Sequence, residues 1–103
     1  MISFKDKIYI LDGAMGTMIQ KHGVAEADNN SERLNLTHPD AIKKTHKEYI
    51  AAGADIIETN TFSANAISQD EYGASSEASR MAYEGARIAR EAADEAAAMA
   101  AEI

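Results

Sequence analysis

The sequence predicts an α/β fold in which strands and helices alternate and the strands lie parallel. Two apolar runs rich in β-branched residues, 8–11 and 54–60, are the predicted strands. A helical pattern lies between them, and a strand, a helix and a second strand in this order form a βαβ unit with a right-handed crossover. A long Ala-rich helical pattern follows the second strand.

The first predicted unit begins with residues 8–11. Their successive apolar side chains suggest burial on both faces, as in a parallel sheet. Residues 14–21 then predict a short helix that ends at Gly23. Residues 24–36 are mostly polar, so we expect an irregular loop there.

The central helix is expected to begin just before Pro39, whose missing N–H costs nothing in a first turn. Thr37 and Asp40 have the spacing of a capping box, with Asp in place of the usual Glu. Gly53 is the predicted C-terminal cap, and the second strand, residues 54–60, follows at once.

The rest of the chain is expected to be mainly helical. A helical turn is predicted near residues 66–72, and a long helix from Ser76 to about Ala101. Its predicted inner stripe consists of Ala78, Met81, Ala82, Gly85, Ile88 or Ala89, Ala92, Ala96 and Met99.

Composition excludes several classes of function. The formal net charge of −7 argues against a nucleic-acid or anionic-membrane partner, since both need a basic face. No run approaches the about 20 apolar residues that span a bilayer, and residues 1–6 show no signal-peptide pattern. Without cysteine, and with three scattered histidines, the chain offers no metal site and no catalytic residue. We therefore expect a soluble, cytoplasmic protein.

Two parallel strands cannot satisfy their outer edges alone and rarely make a stable sheet. Either other chains supply further strands by self-association, or the sequence is the front portion of a larger domain. A (β/α)8 barrel needs eight such units and about 250 residues. Only two units are predicted in these 103 residues.

Ligands of parallel α/β proteins bind at the carboxyl ends of the strands. At the first strand end, Asp12 offers a carboxylate for an ammonium group. Gly13 and Ala14 offer backbone to an anion without a large side chain in the way. Such a corner suits an amino acid, which carries both charges. Asp-Gly is also a common turn dipeptide, so this second interpretation stays open.

The second strand end carries hydroxyl, amide and aromatic groups within residues 58–63. Asn60 and Thr61 are the predicted pocket residues of this group. The alternative is that these side chains only face water, since strand ends are usually polar. His38 and His46 are assigned structural or surface roles, because no acidic residue gives them a metal-binding pattern.

Residues 11–20, 35–40 and 52–62, in this order and spacing, resemble the homocysteine S-methyltransferase barrel at the N-terminus of cobalamin-dependent methionine synthases. The resemblance implies that residues 1–103 are the N-terminal fragment of that domain, namely the first two βα units of a (β/α)8 TIM barrel with a long Ala-rich C-terminal helix. It also implies methyl transfer from 5-methyltetrahydrofolate to homocysteine through cobalamin. In the family, zinc held by three later cysteines binds the homocysteine thiol.

The resemblance implies that Asp12 contacts the amino group of homocysteine and that the backbone of Gly13 and Ala14 contacts its carboxylate. Glu58, Asn60 and Thr61 match a strand-end motif of the family and would support the pocket. Because the sequence has no cysteine, zinc and cobalamin are expected only in the full-length family, with no cofactor held by this chain. The isolated chain is expected to be inactive and to bind homocysteine weakly or not at all.

Two alternatives remain at this level. A related barrel could take its methyl group from betaine or S-methylmethionine without cobalamin. The chain could also be a non-catalytic α/β fragment that self-associates through its strand edges.

Overall fold

A computed structural model describes residues 7–23 and 30–101, with side chains to residue 100. Helices dominate these residues. The α-helices are α1 (Met15–Lys21), α2 (Leu34–Thr37), α3 (Pro39–Ala51), α4 (Ala66–Gln69) and α5 (Ala78–Ala101), and short 3-10 turns lie at Ser31–Arg33, Asp70–Tyr72 and Ser75–Glu77.

The two predicted strands meet in parallel, but only briefly. Leu11 and Ile56 form a single parallel bridge. The N–H of Asp12 donates to the Ile56 carbonyl at 3.0 Å, and the N–H of Asp55 donates to the Ile10 carbonyl at 2.8 Å. Among the residues that the structure describes, no longer strand extends this pairing, so the (β/α)8 assignment stays a prediction.

A side chain completes the short pairing. The Ile10 N–H donates to Asp55 Oδ2 at 2.9 Å, where a sheet would use a backbone carbonyl. This backbone hydrogen bond, opposed by desolvation and assisted by Lys7, holds the pKa of the Asp55 carboxyl below its usual value. Asp55 thus fixes how the two segments align.

The prediction that the first strand is buried on both faces is wrong for this chain. Ile8 is 89% exposed, Ile10 58% and Leu11 52%. A strand becomes buried on both faces only when neighbouring strands and helices cover it. In the described residues, the 54–57 region is the only segment that pairs with residues 10–12.

The hydrophobic core lies between the helices. Ile19 of α1, Leu34 of α2, Ile42 of α3 and Ile88 of α5 form one buried cluster, with Met15 packed against it. The predicted inner face of α5 is largely confirmed, since it buries the following residues: Ala78, Met81, Gly85, Ile88, Ala89 and Ala92.

Met99 does not belong to that face, because its side chain is 66% exposed. Among the described residues, the salt bridges between α3 and α5 reach no further along α5 than Glu95, which accepts from Lys43 and Lys47. The last turns of α5 therefore extend past the helix that covers its centre.

Two local predictions near α3 are wrong. Thr37 does not cap α3; it ends α2, and His38 is the N-cap residue without a side-chain cap hydrogen bond. Residues 31–37 are helical instead of irregular, because Leu34 and Asn35 are buried against other elements. Residues 24–29 of the predicted loop lie outside the described part of the chain.

The predicted end of α3 is confirmed. Gly53 has a φ of 111°, a conformation that few residues other than glycine adopt. Its N–H donates to the Ile50 carbonyl and the Ala54 N–H donates to the Tyr49 carbonyl, both at 3.0 Å. This Schellman arrangement ends the helix and directs the chain into the paired segment.

Candidate functional site

The two predicted ligand-binding groups meet in one cavity. Its volume is about 210 Å³, and it lies where the paired segments end. Residues far apart in sequence thus surround one space. The lining consists of Asp12, Gly13, Ala14 and Met15 from the first segment, and of Glu58, Thr59, Asn60, Thr61 and Phe62 from the second.

Asp12 joins the two sides of this cavity. Its Oδ2 accepts a hydrogen bond from the Glu58 N–H at 3.1 Å. Its Oδ1 is buried and makes no hydrogen bond to any of the described residues. A carboxylate oxygen has two acceptor sites, so Oδ2 can accept from Glu58 and from a ligand together. Asp12 can therefore keep its structural hydrogen bond while it binds an ammonium group.

Gly13 allows α3 to approach the corner formed by residues 12–14. The Tyr49 hydroxyl donates to the Ala14 carbonyl at 2.7 Å. A Cβ atom on Gly13 would lie 2.9 Å from the same hydroxyl oxygen, which is closer than real Cβ contacts. A side chain at position 13 would therefore displace the Tyr49 hydroxyl, whose hydrogen bond ties the corner to the central helix.

Asn60 lines the cavity, but its side chain is committed to the interior. Its Nδ2 donates to the Ser31 carbonyl at 2.9 Å and to Asn35 Oδ1 at 3.0 Å. In return, Asn35 Nδ2 donates to the carbonyls of Asn60 at 2.8 Å and Met81 at 3.0 Å. Asn60 is therefore suited to shaping the cavity wall. Because its Nδ2 already donates to Ser31 and Asn35, that group is not available to a ligand.

Thr61 and Phe62 differ in exposure. The hydroxyls of Thr59 and Thr61 lie 2.6 Å apart and share a hydrogen bond. Phe62 is 98% exposed, so its ring stands at the open side of the cavity. Thr61 packs toward α5, where a Cβ on Gly85 would lie 2.7 Å from its methyl group.

A buried pair of amides supports the same segment from behind. Asn30 Nδ2 donates to Gln69 Oε1 at 2.5 Å, and Gln69 Nε2 donates back to Asn30 Oδ1 at 3.2 Å. Gln69 also donates to the Ser63 carbonyl at 2.9 Å. Sequence reasoning assigned no structural role to Asn30, Asn35 or Gln69, because amides in polar stretches normally predict loops.

His46 is another residue that sequence reasoning did not place near the site. Its side chain is fully buried on α3, and neither ring nitrogen has a hydrogen-bond partner among the described residues. Burial lowers the pKa of His46 below its usual 6.5, and the charge of Asp12 acts in the opposite direction. His46 therefore lies within electrostatic reach of the candidate ligand-binding carboxylate.

The arrangement defines a small polar ligand site, lined by two acidic residues (Asp12 and Glu58), backbone and hydroxyl groups. The family model for homocysteine S-methyltransferase matches residues 9–103. The chain therefore belongs to the homocysteine S-methyltransferase family, which is a family of methyltransferases. The resemblance to homocysteine S-methyltransferases is thus confirmed at the level of the family.

The residues of this chain do not fit the zinc of the resemblance. The sequence has no cysteine, and the described residues contain no group of three metal-binding side chains. Within the same described part of the chain, no helix has the length and apolarity needed to cross a bilayer.

Proposed function

We propose that this chain forms the amino-acid end of the homocysteine site in a cytoplasmic methionine synthase of the cobalamin-dependent type. The observation that carries the proposal is the single cavity shared by Asp12 and Thr61, which lie 49 positions apart in a chain of this family. Asp12 binds the ammonium group of homocysteine. The backbone of Gly13 and Ala14 binds the carboxylate group, and Asn60 and Thr61 hold the opposite wall.

Under this proposal the chain binds and orients its substrate but does not activate the thiol. Thiolates are the reactive form of sulfur nucleophiles, and zinc would stabilise one at neutral pH. Methylcobalamin would supply the methyl group to homocysteine, and methyltetrahydrofolate would then re-methylate the cobalamin. Under the proposal, residues other than those of this chain would hold these groups, and we expect no methyl transfer by the 103 residues alone. A donor such as betaine or S-methylmethionine is the alternative, and it would leave the amino-acid end unchanged.

The first test is a titration of the chain with homocysteine, followed by amide chemical shifts. We expect a Kd of about 1 mM or weaker, near 4 kcal/mol of binding free energy, because the thiol has no anchor here. Shifts should concentrate at Gly13, Ala14 and Thr61. Asp12→Asn should weaken binding at least about tenfold, since it removes a charged hydrogen bond. Asp40→Asn, on the exposed first turn of α3, is the matched control.

Shifts that appear elsewhere, or binding that survives Asp12→Asn unchanged, would contradict this function. Methionine formation by the purified chain would contradict the part of the proposal that assigns thiol activation to other residues.

A second candidate function is self-association with another copy of this chain. The exposed side chains of Ile8, Ile10 and Leu11 favour it, because they lie beside backbone groups that a further strand could pair. Such pairing would extend the short bridge into a larger sheet.

We expect sedimentation velocity to show association that increases with concentration. Ile8→Lys should weaken it about tenfold or more, because burying an isoleucine contributes about 1.5–3 kcal/mol. Ile67→Lys is the matched control, since Ile67 is 88% exposed but lies on α4. A compact monomer at all concentrations, or an equal effect of both variants, would exclude association through this segment.

A further inference from the structure

Three buried polar atoms near the candidate site lack partners among the described residues. They are Asp12 Oδ1 and the two ring nitrogens of His46. Buried polar groups in proteins are nearly always hydrogen-bonded, so each exception needs an explanation. The carboxylate oxygen can only accept, and a neutral imidazole has one nitrogen that donates. Their needs are complementary.

Helix α3 places His46 on the helix face that contacts the corner formed by residues 12–14, which contains Asp12. Tyr49, three residues after His46, donates to the Ala14 carbonyl at 2.7 Å. Side chains three apart on a helix are neighbours on one face, so His46 shares the helix face that contacts the corner. Ile42, four residues before His46, is also fully buried.

Electrostatics agrees with this placement. Asp12 is the charged side chain that acts on the His46 ring, and its charge raises the pKa of the imidazole while burial lowers it. The hydroxyl of Tyr49, a titratable neighbour on α3, already donates a hydrogen bond to the Ala14 carbonyl. Burial therefore keeps the ring neutral near pH 7, with one N–H available to a carboxylate.

We propose that His46 is a positioning residue for Asp12: its ring N–H is linked to Oδ1 through one buried water, and so fixes the carboxylate that receives the substrate ammonium. The link between His46 and Asp12 does not depend on the proposed function. Only the statement that Asp12 receives the substrate ammonium rests on it. With Oδ1 held by His46 and Oδ2 by Glu58, the carboxylate cannot rotate away from the cavity. The competing explanation is that His46 only fills space in the core.

The test is nitrogen-15 NMR of the histidine rings in the 103-residue chain, titrated with acid. We expect Asp12→Asn to lower the pKa of His46 by about one pH unit, because the variant removes the charge that favours the imidazolium. Asp40→Asn should leave His46 unchanged. His38, which contacts Thr37 instead, is the internal control in the comparison of wild type with Asp12→Asn. A His46 titration that is identical in wild type and Asp12→Asn would overturn the proposal.

A second pair of variants separates positioning from packing. The Glu58 amide donates to Asp12 Oδ2, so its resonance reports the orientation of the carboxylate. His46→Leu, which fills space but cannot donate, should move this resonance. His46→Gln keeps an N–H donor and should restore it toward wild type. Equal displacement by both variants would show that His46 only packs, and if His46→Leu does not fold, the Asp12→Asn titration decides.

Titration of the same samples with homocysteine keeps the two proposals apart. If the His46 titration responds to Asp12→Asn but homocysteine moves no resonance at the corner, the pairing stands and the substrate assignment fails. If homocysteine binds through Asp12 while His46 titrates independently, the function stands and the positioning role fails.

Discussion

Gly85→Val is expected to lower the free energy of unfolding by about 3 kcal/mol, because it overpacks the junction between α5 and the candidate site. A Cβ on Gly85 would lie 2.8 Å from Asn35 Nδ2 and 3.2 Å from the Asn60 carbonyl oxygen. Neither atom can retreat easily, since the two are hydrogen-bonded to each other. Urea unfolding followed by circular dichroism measures the loss.

Gly16→Val is the matched control for this prediction. Gly16 also lies in a helix, but its Cβ would meet no atom within 4 Å. We expect a change within about 0.5 kcal/mol, as at most open surface positions. Because valine has a higher helix propensity than glycine, propensity alone predicts no loss for either variant. If both variants lost the same stability, the close approach of Asn35 and Asn60 to Gly85 would not be the cause.

Asn35→Ala is also expected to lower the free energy of unfolding by about 3 kcal/mol, because it leaves buried hydrogen-bonding groups without a partner. The side chain of Asn35 donates to two backbone carbonyls, at Asn60 and Met81, and accepts from Asn60. Each buried partner left without a hydrogen bond costs about 1–3 kcal/mol. Because the Asn60 carbonyl belongs to the cavity wall, amide exchange should also quicken around Thr61.

Asn65→Ala provides the comparison. Asn65 caps α4, where its Oδ1 accepts from the exposed Ser68 N–H at 2.9 Å. Loss of such a cap typically costs about 1 kcal/mol. A loss for Asn35→Ala no larger than that for Asn65→Ala would show that the buried amide network contributes little.

Both variants act on the same piece of backbone. Asn35 holds it by hydrogen bonds, and Gly85 leaves room for it beside α5. The cavity wall at residues 60–61 is therefore supported by helices that contribute nothing to its lining.

The sequence predicted the helices well where a single chemical signal decides. The missing N–H of Pro39 marked the start of α3, and the left-handed conformation required of Gly53 marked its end. The apolar spacing of α5 likewise identified most of its buried face. These signals are local, so no knowledge of distant residues is needed to interpret them.

The candidate site was predictable in a coarser way. Strand-end positions pointed to Asp12 and Thr61, and both residues line one cavity because the carboxyl ends of parallel segments meet at one edge. Thr37 as a cap was wrong, since burial of Leu34 extends helical structure up to Thr37 itself. His46 was assigned a structural or surface role, and periodicity did not reveal that its side chain is fully buried without a hydrogen-bond partner among the described residues.

The short pairing of the two segments has a consequence for the cavity. Side chains alternate between faces along an extended segment, so a shift of one residue would turn each of them to the opposite face. A single bridge gives little protection against such a shift. The hydrogen bond from the Ile10 N–H to Asp55 Oδ2 increases that protection. Which residues stand opposite Asp12 is therefore decided by an aspartate that does not line the cavity at all.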